Sequence, residues 1–175
     1  MDGSTHQTVG ICSGLIVTTL LFPTLSDSMV WIHGGALVLG ASLGSLMPDI
    51  DHPRSKMGHR AKFASKVVSK TCGHRGWTHT LLAFVLILSG LIYVATHLPI
   101  YEELFGYWAS GFSLGYLTHL ILDALTVQGI PLLKPMTSKN LKLTSIKSDS
   151  IPLNHLTQFG FMVVAGLMIY LQYFN

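Results

Sequence analysis

Residues 80–98 form an apolar run that contains no Asp, Glu, Lys or Arg. A helix of about 20 such residues crosses about 30 Å of hydrocarbon, so the run predicts a membrane-spanning helix. Charged residues make up 11% of the chain, against about 25% in soluble domains, which excludes a disordered or an ordinary soluble protein. Four further apolar runs extend the prediction: residues 9–22, 30–47, 107–126 and 156–174.

The basic residues predict how these runs cross the membrane. All eleven lie in two stretches, residues 54–75 and 134–147, and cytoplasmic loops of membrane proteins are the ones rich in Lys and Arg. The two apolar runs between these stretches then form an outward hairpin. We therefore expect an all-α, polytopic protein with about five membrane helices, its N-terminus inside and its C-terminus outside, forming a single domain over residues 1–175.

Two further features concern the helices themselves. The start of the chain lacks the basic region of a secretory signal, so the first run is expected to be a retained helix. Small residues recur every four positions, at Ala36, Gly40 and Gly44 and again at Gly111 and Gly115. This spacing favours close helix contact in lipid, although it also suits plain flexibility.

With this topology, the acidic and imidazole side chains collect at the cytoplasmic ends of four elements. They are His6 before the first helix, Asp49, Asp51 and His52 after the second, His74 and His79 before the third, and His119 and Asp123 near the end of the fourth. The remaining histidines lack such neighbours and receive no role: His33, His59, His97 and His155.

The spacing within each group bears on metal binding. His119 and Asp123 are four apart, which places them on one helical face, although a helix-end Asp wetted by the interface is a real alternative. Pro48 and Pro53 bracket the Asp49 group and predict a stiff, non-helical loop, which could equally hold solvated carboxylates in an Asx turn.

The histidines before the third helix are five apart and so do not share a helical face. Gly73 and Gly76 would let the chain bend between His74 and His79. Thr78 is expected to cap the helix that follows, which would put His79 in its first turn.

Three Asp and up to five His exceed the four ligands of a structural zinc site. The predicted metal ligands are His6, Asp51, His52, His74, His79, His119 and Asp123. Zinc is the first expectation for the metal, and manganese and iron(II) stay open. Such an ion activates water for hydrolysis. Asp49 or Asp51 is then the candidate base, and Arg75, with Arg54 as a second choice, could hold a phosphate, although both also suit topology signals.

Several motifs resemble a known family. They are Thr5-His6, residues 47–53, residues 73–80, residues 115–126 and residues 129–135. Together they are similar to the YdjM-like family of LexA-regulated, inner-membrane-associated metal-dependent hydrolases, with Val127 in place of an expected proline. The resemblance implies a bacterial inner-membrane location and a distant similarity to the zinc phospholipase C and nuclease group. In that group a His-x-x-x-Asp pair binds metal, a pattern met here by His119 and Asp123.

The expected function is therefore hydrolysis of a phosphoester or a lipid-linked substrate at the cytoplasmic membrane face, with metal-activated water. Membrane lipid is the expected partner. Nucleic acid is not, because no aromatic residues alternate with the basic ones. Two non-enzymatic alternatives remain. Intramembrane Asp and His also mark ion or metal transport pathways, and a metal could simply join the helix ends.

Overall fold

The computed structural model describes residues 1–22, 24, 28–72, 76–97 and 102–174, and the regular structure of these residues is helical. A π-helical turn covers Val30–Gly34, and 3-10 turns cover Pro48–Asp51 and Trp77–His79. The predicted all-α class is confirmed for the described part of the chain. The α-helices are α1 (Gly3–Leu21), α2 (Gly35–Gly44), α3 (Lys56–Arg60), α4 (Lys62–Cys72), α5 (Leu81–His97), α6 (Glu102–Ala124) and α7 (Ile151–Tyr173).

Among the described residues, two helical stretches are long and apolar enough to cross a bilayer: Val30–Asp51, with 22 residues, and Ile151–Tyr173, with 23. The run at residues 80–98 forms a helix as predicted, but α5 is shorter, with 17 residues. Helices α1 and α6 are continuous and more polar, and α6 carries three acidic residues: Glu102, Glu103 and Asp123. The structure therefore supports membrane association, and the five-span topology stays a prediction.

Helices α2 and α6 pack closely because glycines line their contact. A methyl group at Gly40 would lie 2.1 Å from the carbonyl oxygen of Trp108, and one at Gly115 would lie 2.0 Å from that of Ala41. Any larger residue would force the two backbones apart. The predicted role of the glycine spacing is thus confirmed, and the end of α2 lies against the second half of α6.

The loop after α2 differs from its prediction. Residues Pro48–Asp51 form a 3-10 turn, and Met47 keeps helical dihedrals although a proline follows it. Proline is tolerated in a first helical turn, because the N–H that it lacks would have no helical partner there. His52, before Pro53, is extended as expected. The turn directs Asp49 toward His119 of α6 and Asp51 toward His79.

The segment between α6 and α7 covers the end of α6. Isolated bridges join Thr126 to Ile146 and Ile130 to Leu141. The Leu81 N–H, at the start of α5, donates to the Leu132 carbonyl. The buried core beneath this segment consists of Phe112, Tyr116, Leu120, Ala124 and Ile130. The side of α6 that carries His119 and Asp123 is therefore enclosed by protein, whereas Leu117 and Ile121 are exposed on its other side.

Candidate metal centre

Four elements bring polar side chains into this enclosed region. His6 comes from α1, Asp49 and Asp51 from the first 3-10 turn, His79 from the second, and His119 and Asp123 from α6. All are buried except Asp49, whose side chain is 18% exposed. Buried ionisable groups are costly unless they are paired or bind a metal. The predicted convergence of these residues is observed.

His119 is oriented by the backbone of α2. Its Nδ1 lies 2.7 Å from the Ser45 carbonyl oxygen. A carbonyl can only accept a hydrogen bond, so Nδ1 carries the proton and donates it. The lone pair of His119 is then on Nε2, which faces the other ligands. This is the arrangement that metal-binding histidines use to fix the ring and its tautomer.

His79 is oriented in the same way by a carboxylate. Its Nδ1 lies 3.3 Å from Asp51 Oδ2 and 3.1 Å from Thr78 Oγ1. The Thr78 hydroxyl donates to Asp51 over 2.7 Å, so its proton is not available to His79. His79 Nδ1 therefore carries a proton, and its Nε2 lone pair points at His119 Nε2, 3.3 Å away.

Two carboxylates complete a cage around these nitrogens. Asp123 Oδ2 lies 3.8 Å from Nε2 of His79 and 3.8 Å from Nε2 of His119. Asp49 Oδ1 lies 3.9 Å and 3.8 Å from the same two atoms. A tetrahedral ion with bonds of about 2.0–2.1 Å separates its ligands by roughly 3.3 Å, so the cage is slightly wider than a closed site. Each carboxylate lies within 3.9 Å of both imidazole nitrogens, so His79 and His119 together with either one offer three acceptor atoms to a divalent cation.

His6 adds a second ligand set beside this cage. Its ring stacks on His119 with centroids 3.8 Å apart, and its Nε2 lies 3.2 Å from Asp123 Oδ1. The Met1 nitrogen lies 2.6 Å from the same oxygen. His6 Nδ1 is buried and has no hydrogen-bond partner within the described residues. His6, His119 and Asp123 place one potential ligand atom each within 4.8 Å of one another, as do Asp49, His79 and His119.

Asp51 lies behind His79, outside both ligand sets. Its Oδ2 accepts hydrogen bonds from Thr78 and from the Gly76 N–H at 3.3 Å, and it also faces His79. The structure thus places Asp51 where it orients a ligand. Asp49 is the carboxylate of this turn that faces the cage.

The remaining predicted residues lie apart from the cage or outside the described residues. His52 and Arg54 line a polar cleft of about 440 Å³ that also borders Asp49, Lys56 and Gln128. The cleft connects the exposed edge of Asp49 with solvent. His74 and Arg75 lie outside the described residues. Of the histidines without an assigned role, His33 stacks on Tyr107, with centroids 4.6 Å apart.

Some residues of the site were not found from the sequence. Thr78 was expected to cap α5, but Thr80 does so by accepting a hydrogen bond from the Ala83 N–H at 3.0 Å. Thr78 instead bonds Asp51, and its carbonyl accepts a hydrogen bond from the Tyr116 hydroxyl. The one sequence signal for the role of Thr78 is that its hydroxyl is adjacent to His79. The role of Ser45 has no sequence signal, because the group involved is a backbone carbonyl.

Comparison with known proteins agrees with this picture of a membrane protein. The sequence model of a family described as "YdjM inner membrane protein" matches residues 1–174. The chain belongs to this family. The YdjM inner membrane protein of Escherichia coli (strain K12) is 39% identical over 126 residues, which are 71% of this chain and 60% of that protein. This chain therefore spans less than two thirds of the YdjM relative's length.

A second relative comes from a different bacterial group. The Bacillus subtilis (strain 168) protein YvsG, named as uncharacterized, is 39% identical over 137 residues, or 78% of this chain and 75% of YvsG. No solved structure matches the chain. The relatives' names thus place the YdjM family in the inner membrane and do not state a reaction.

Proposed function

We propose that this chain is a membrane-embedded, metal-dependent hydrolase of a phosphoester or a lipid-linked substrate, acting at the cytoplasmic face of the inner membrane. One observation carries the proposal. The Nε2 atoms of His79 and His119 face each other at 3.3 Å while their Nδ1 protons are donated elsewhere. Two facing lone pairs repel, and a cation that both nitrogens bind from one side relieves this repulsion; the carboxylates of Asp49 and Asp123, each within 3.9 Å of both nitrogens, favour a divalent ion.

The donor set bears on which ion would be held. Two imidazole nitrogens and two carboxylate oxygens suit zinc, manganese or iron(II), and the spacing of the cage is close to that of tetrahedral zinc. A divalent ion held there supplies a Lewis acid that neutralises charge on a phosphoryl or carbonyl oxygen and acidifies water. We take zinc as the first candidate.

The protein's own side chains would supply the general base, orient a metal ligand and attract the substrate. We assign the metal to His79, His119 and Asp123, which leaves the carboxylate of Asp49, at the border of the cage and the cleft, to take a proton from water. Asp51 is fully buried and its Oδ2 atom already faces three donors, so it is better placed to orient His79 than to act as the base. Arg54 and Lys56 line the same cleft and would attract an anionic substrate group.

The membrane setting supports the lipid-linked substrate class. The chain belongs to an inner-membrane family, and the cleft is lined by Asp49 and His52, at the end of the apolar stretch Val30–Asp51, and by the basic residues Arg54 and Lys56 that follow. Lys and Arg concentrate in cytoplasmic loops, so we assign this end to the cytoplasm and retain five spans, N-in and C-out, as part of the proposal.

The transport alternative has less support. An ion pathway needs polar groups available along the whole span. At the other end of α1, the Thr18 hydroxyl donates to the Gly14 carbonyl and the Thr19 hydroxyl to the Ile16 carbonyl. Both hydroxyl protons are therefore engaged by backbone carbonyls and are not available to a proton relay. A metal that only joins the helix ends would bind in the same cage. A structural metal differs from a catalytic one in that the protein would show no turnover.

The test uses a matched pair of aspartates in detergent-purified protein. Asp123→Ala removes a cage ligand, whereas Asp149→Ala removes an exposed carboxylate. We expect stoichiometric metal by plasma mass spectrometry in the wild type and in Asp149→Ala, and little in Asp123→Ala. Equal metal in all three proteins, or none in any, contradicts the metal centre.

A second measurement tests catalysis on the metal-loaded protein. A panel of phosphomonoesters, phosphodiesters and phospholipids is incubated with wild type and with Asp49→Asn. We expect turnover with at least one class, and a loss of turnover in Asp49→Asn that exceeds its loss of metal. Bound metal without turnover on any class, together with unfolding by chelator, would instead favour a structural metal.

A further inference from the structure

Helix α4 presents an unusual arrangement of side chains to solvent. Over residues 62–70, whose side chains the structure describes, the buried residue is Ser65, which is 0% exposed, whereas Phe63 is 84% exposed and Val67 is 47% exposed. An amphipathic helix of a soluble protein packs its apolar face on the core and keeps its polar residues outside. In α4 the apolar stripe faces away from the protein.

A basic stripe runs beside this apolar stripe. Lys62, Lys66 and Lys70 recur every four residues and are all exposed, so they share one face of the helix. Phe63 and Val67 have the same spacing one position further on, which places them next to the lysines. Helices that lie in a membrane surface combine apolar residues with Lys or Arg at the edge in this way.

The position of α4 in the fold suits that surface. The helix packs on the 3-10 turn Pro48–Asp51, which is the last turn of the apolar stretch Val30–Asp51. The next apolar helix, α5, begins at Leu81. Because α4 lies where one apolar stretch has ended and another has yet to begin, it sits at the depth of the lipid headgroups.

We propose that α4 is an interfacial helix that inserts Phe63 and Val67 among lipid chains and binds anionic phospholipid headgroups through Lys62, Lys66 and Lys70. Charge complementarity selects anionic lipids over zwitterionic ones. The lysine stems lie along the apolar surface while their ammonium groups reach the phosphates. Because α4 packs on the turn that carries Asp49 and Asp51, lipid contact also holds that turn at the membrane surface.

The experiment places a photoreactive residue at the exposed apolar stripe. Phe63 is replaced by p-benzoylphenylalanine in the full chain, reconstituted in vesicles of three parts phosphatidylethanolamine to one part phosphatidylglycerol. The same replacement at Phe159, which is exposed on α7, measures the lipid composition of the bulk bilayer. Mass spectrometry of the adducts gives the anionic share at each position.

We expect lipid adducts at position 63 that are richer in phosphatidylglycerol than those at position 159. A roughly five-fold preference, as for one lysine near an anionic surface, raises the anionic share from about 25% to about 60%. Reversing the stripe with Lys62→Glu, Lys66→Glu and Lys70→Glu should return it to 25% or below. A matched control reverses three exposed lysines between α6 and α7, with Lys139→Glu, Lys142→Glu and Lys147→Glu. The anionic share at position 63 should stay high in this control.

Two results overturn the proposal. An anionic share at position 63 equal to that at position 159 removes the headgroup preference, and this comparison holds even if the reversed variants fail to fold. Adducts that join position 63 mainly to a second copy of the chain assign the apolar stripe to a protein interface. Both results are independent of the metal content that tests the proposed function.

Discussion

Substitution of Gly115 by alanine should disturb the helix packing and the metal centre together. The added methyl group would lie 2.0 Å from the Ala41 carbonyl oxygen and 2.8 Å from the Ser45 nitrogen, against the 3.4 Å at which ordinary contact begins. The helices must therefore separate by roughly 1.4 Å at this point, because neither backbone group can rotate away as a side chain would.

This separation of the helices affects the metal centre through Ser45. Its carbonyl accepts the Nδ1 proton of His119 over 2.7 Å, and a shift of that size carries the pair beyond hydrogen-bond distance. Overpacking of this kind costs about 1–3 kcal/mol of stability. Loss of a partner that orients a metal ligand weakens metal binding by about 10- to 100-fold. We expect both effects in Gly115→Ala.

The assay compares this variant with Gly90→Ala on α5, where no atom lies within 4 Å of the added methyl group. Thermal unfolding in detergent and competition with a chromophoric chelator give stability and metal affinity. Gly90→Ala should be neutral or slightly more stable, because alanine favours a helix over glycine. If Gly115→Ala matched Gly90→Ala in both measurements, the coupling of helix packing to His119 would be refuted.

Two further predictions concern single carboxylates. Asp51→Asn keeps the size of the group that orients His79 but removes its charge. We therefore expect about 10- to 100-fold weaker metal binding, measured by chelator competition. Complete loss of metal binding would instead make Asp51 a direct ligand. Asp2→Ala removes the side chain that caps α1 by accepting from the Thr5 N–H at 2.7 Å, and should cost about 1 kcal/mol. Burial acts to raise the pKa of Asp2, but the hydrogen bonds it accepts from Thr5 outweigh this and lower the pKa below 3.8. The wild-type advantage in thermal unfolding should therefore be full above the unfolded pKa and disappear as the pH falls through the lowered one.

Much of the helical framework follows from local pattern. A long uncharged apolar run favours a helix in lipid, because each backbone group then finds its hydrogen-bond partner within the same segment. Four-residue spacing alone places His119 and Asp123 on one face and aligns Gly111 with Gly115. The turn at Pro48–Asp51 was harder to predict, since proline is compatible with both a loop and a first helical turn.

The roles of the individual site residues depend on contacts between distant parts of the chain. The division of work between Asp49 and Asp51 follows from their distances to His79 and His119, which lie on other elements. The tautomer of His119 depends on a carbonyl 74 residues away, and a carbonyl looks the same at every position of a sequence.

The sequence by itself predicted helices in the long apolar runs, though not α3 or α4, and it identified the side chains that can bind a metal. Both properties are local, because backbone geometry repeats every few residues and ligand chemistry belongs to each side chain. The tertiary structure decided which of these side chains meet. It brought His6, His79 and Asp123 around His119 and turned Phe63 away from the core. The position of His119 depends on how closely α2 can approach α6, and the glycines allow that approach when both helices are in place.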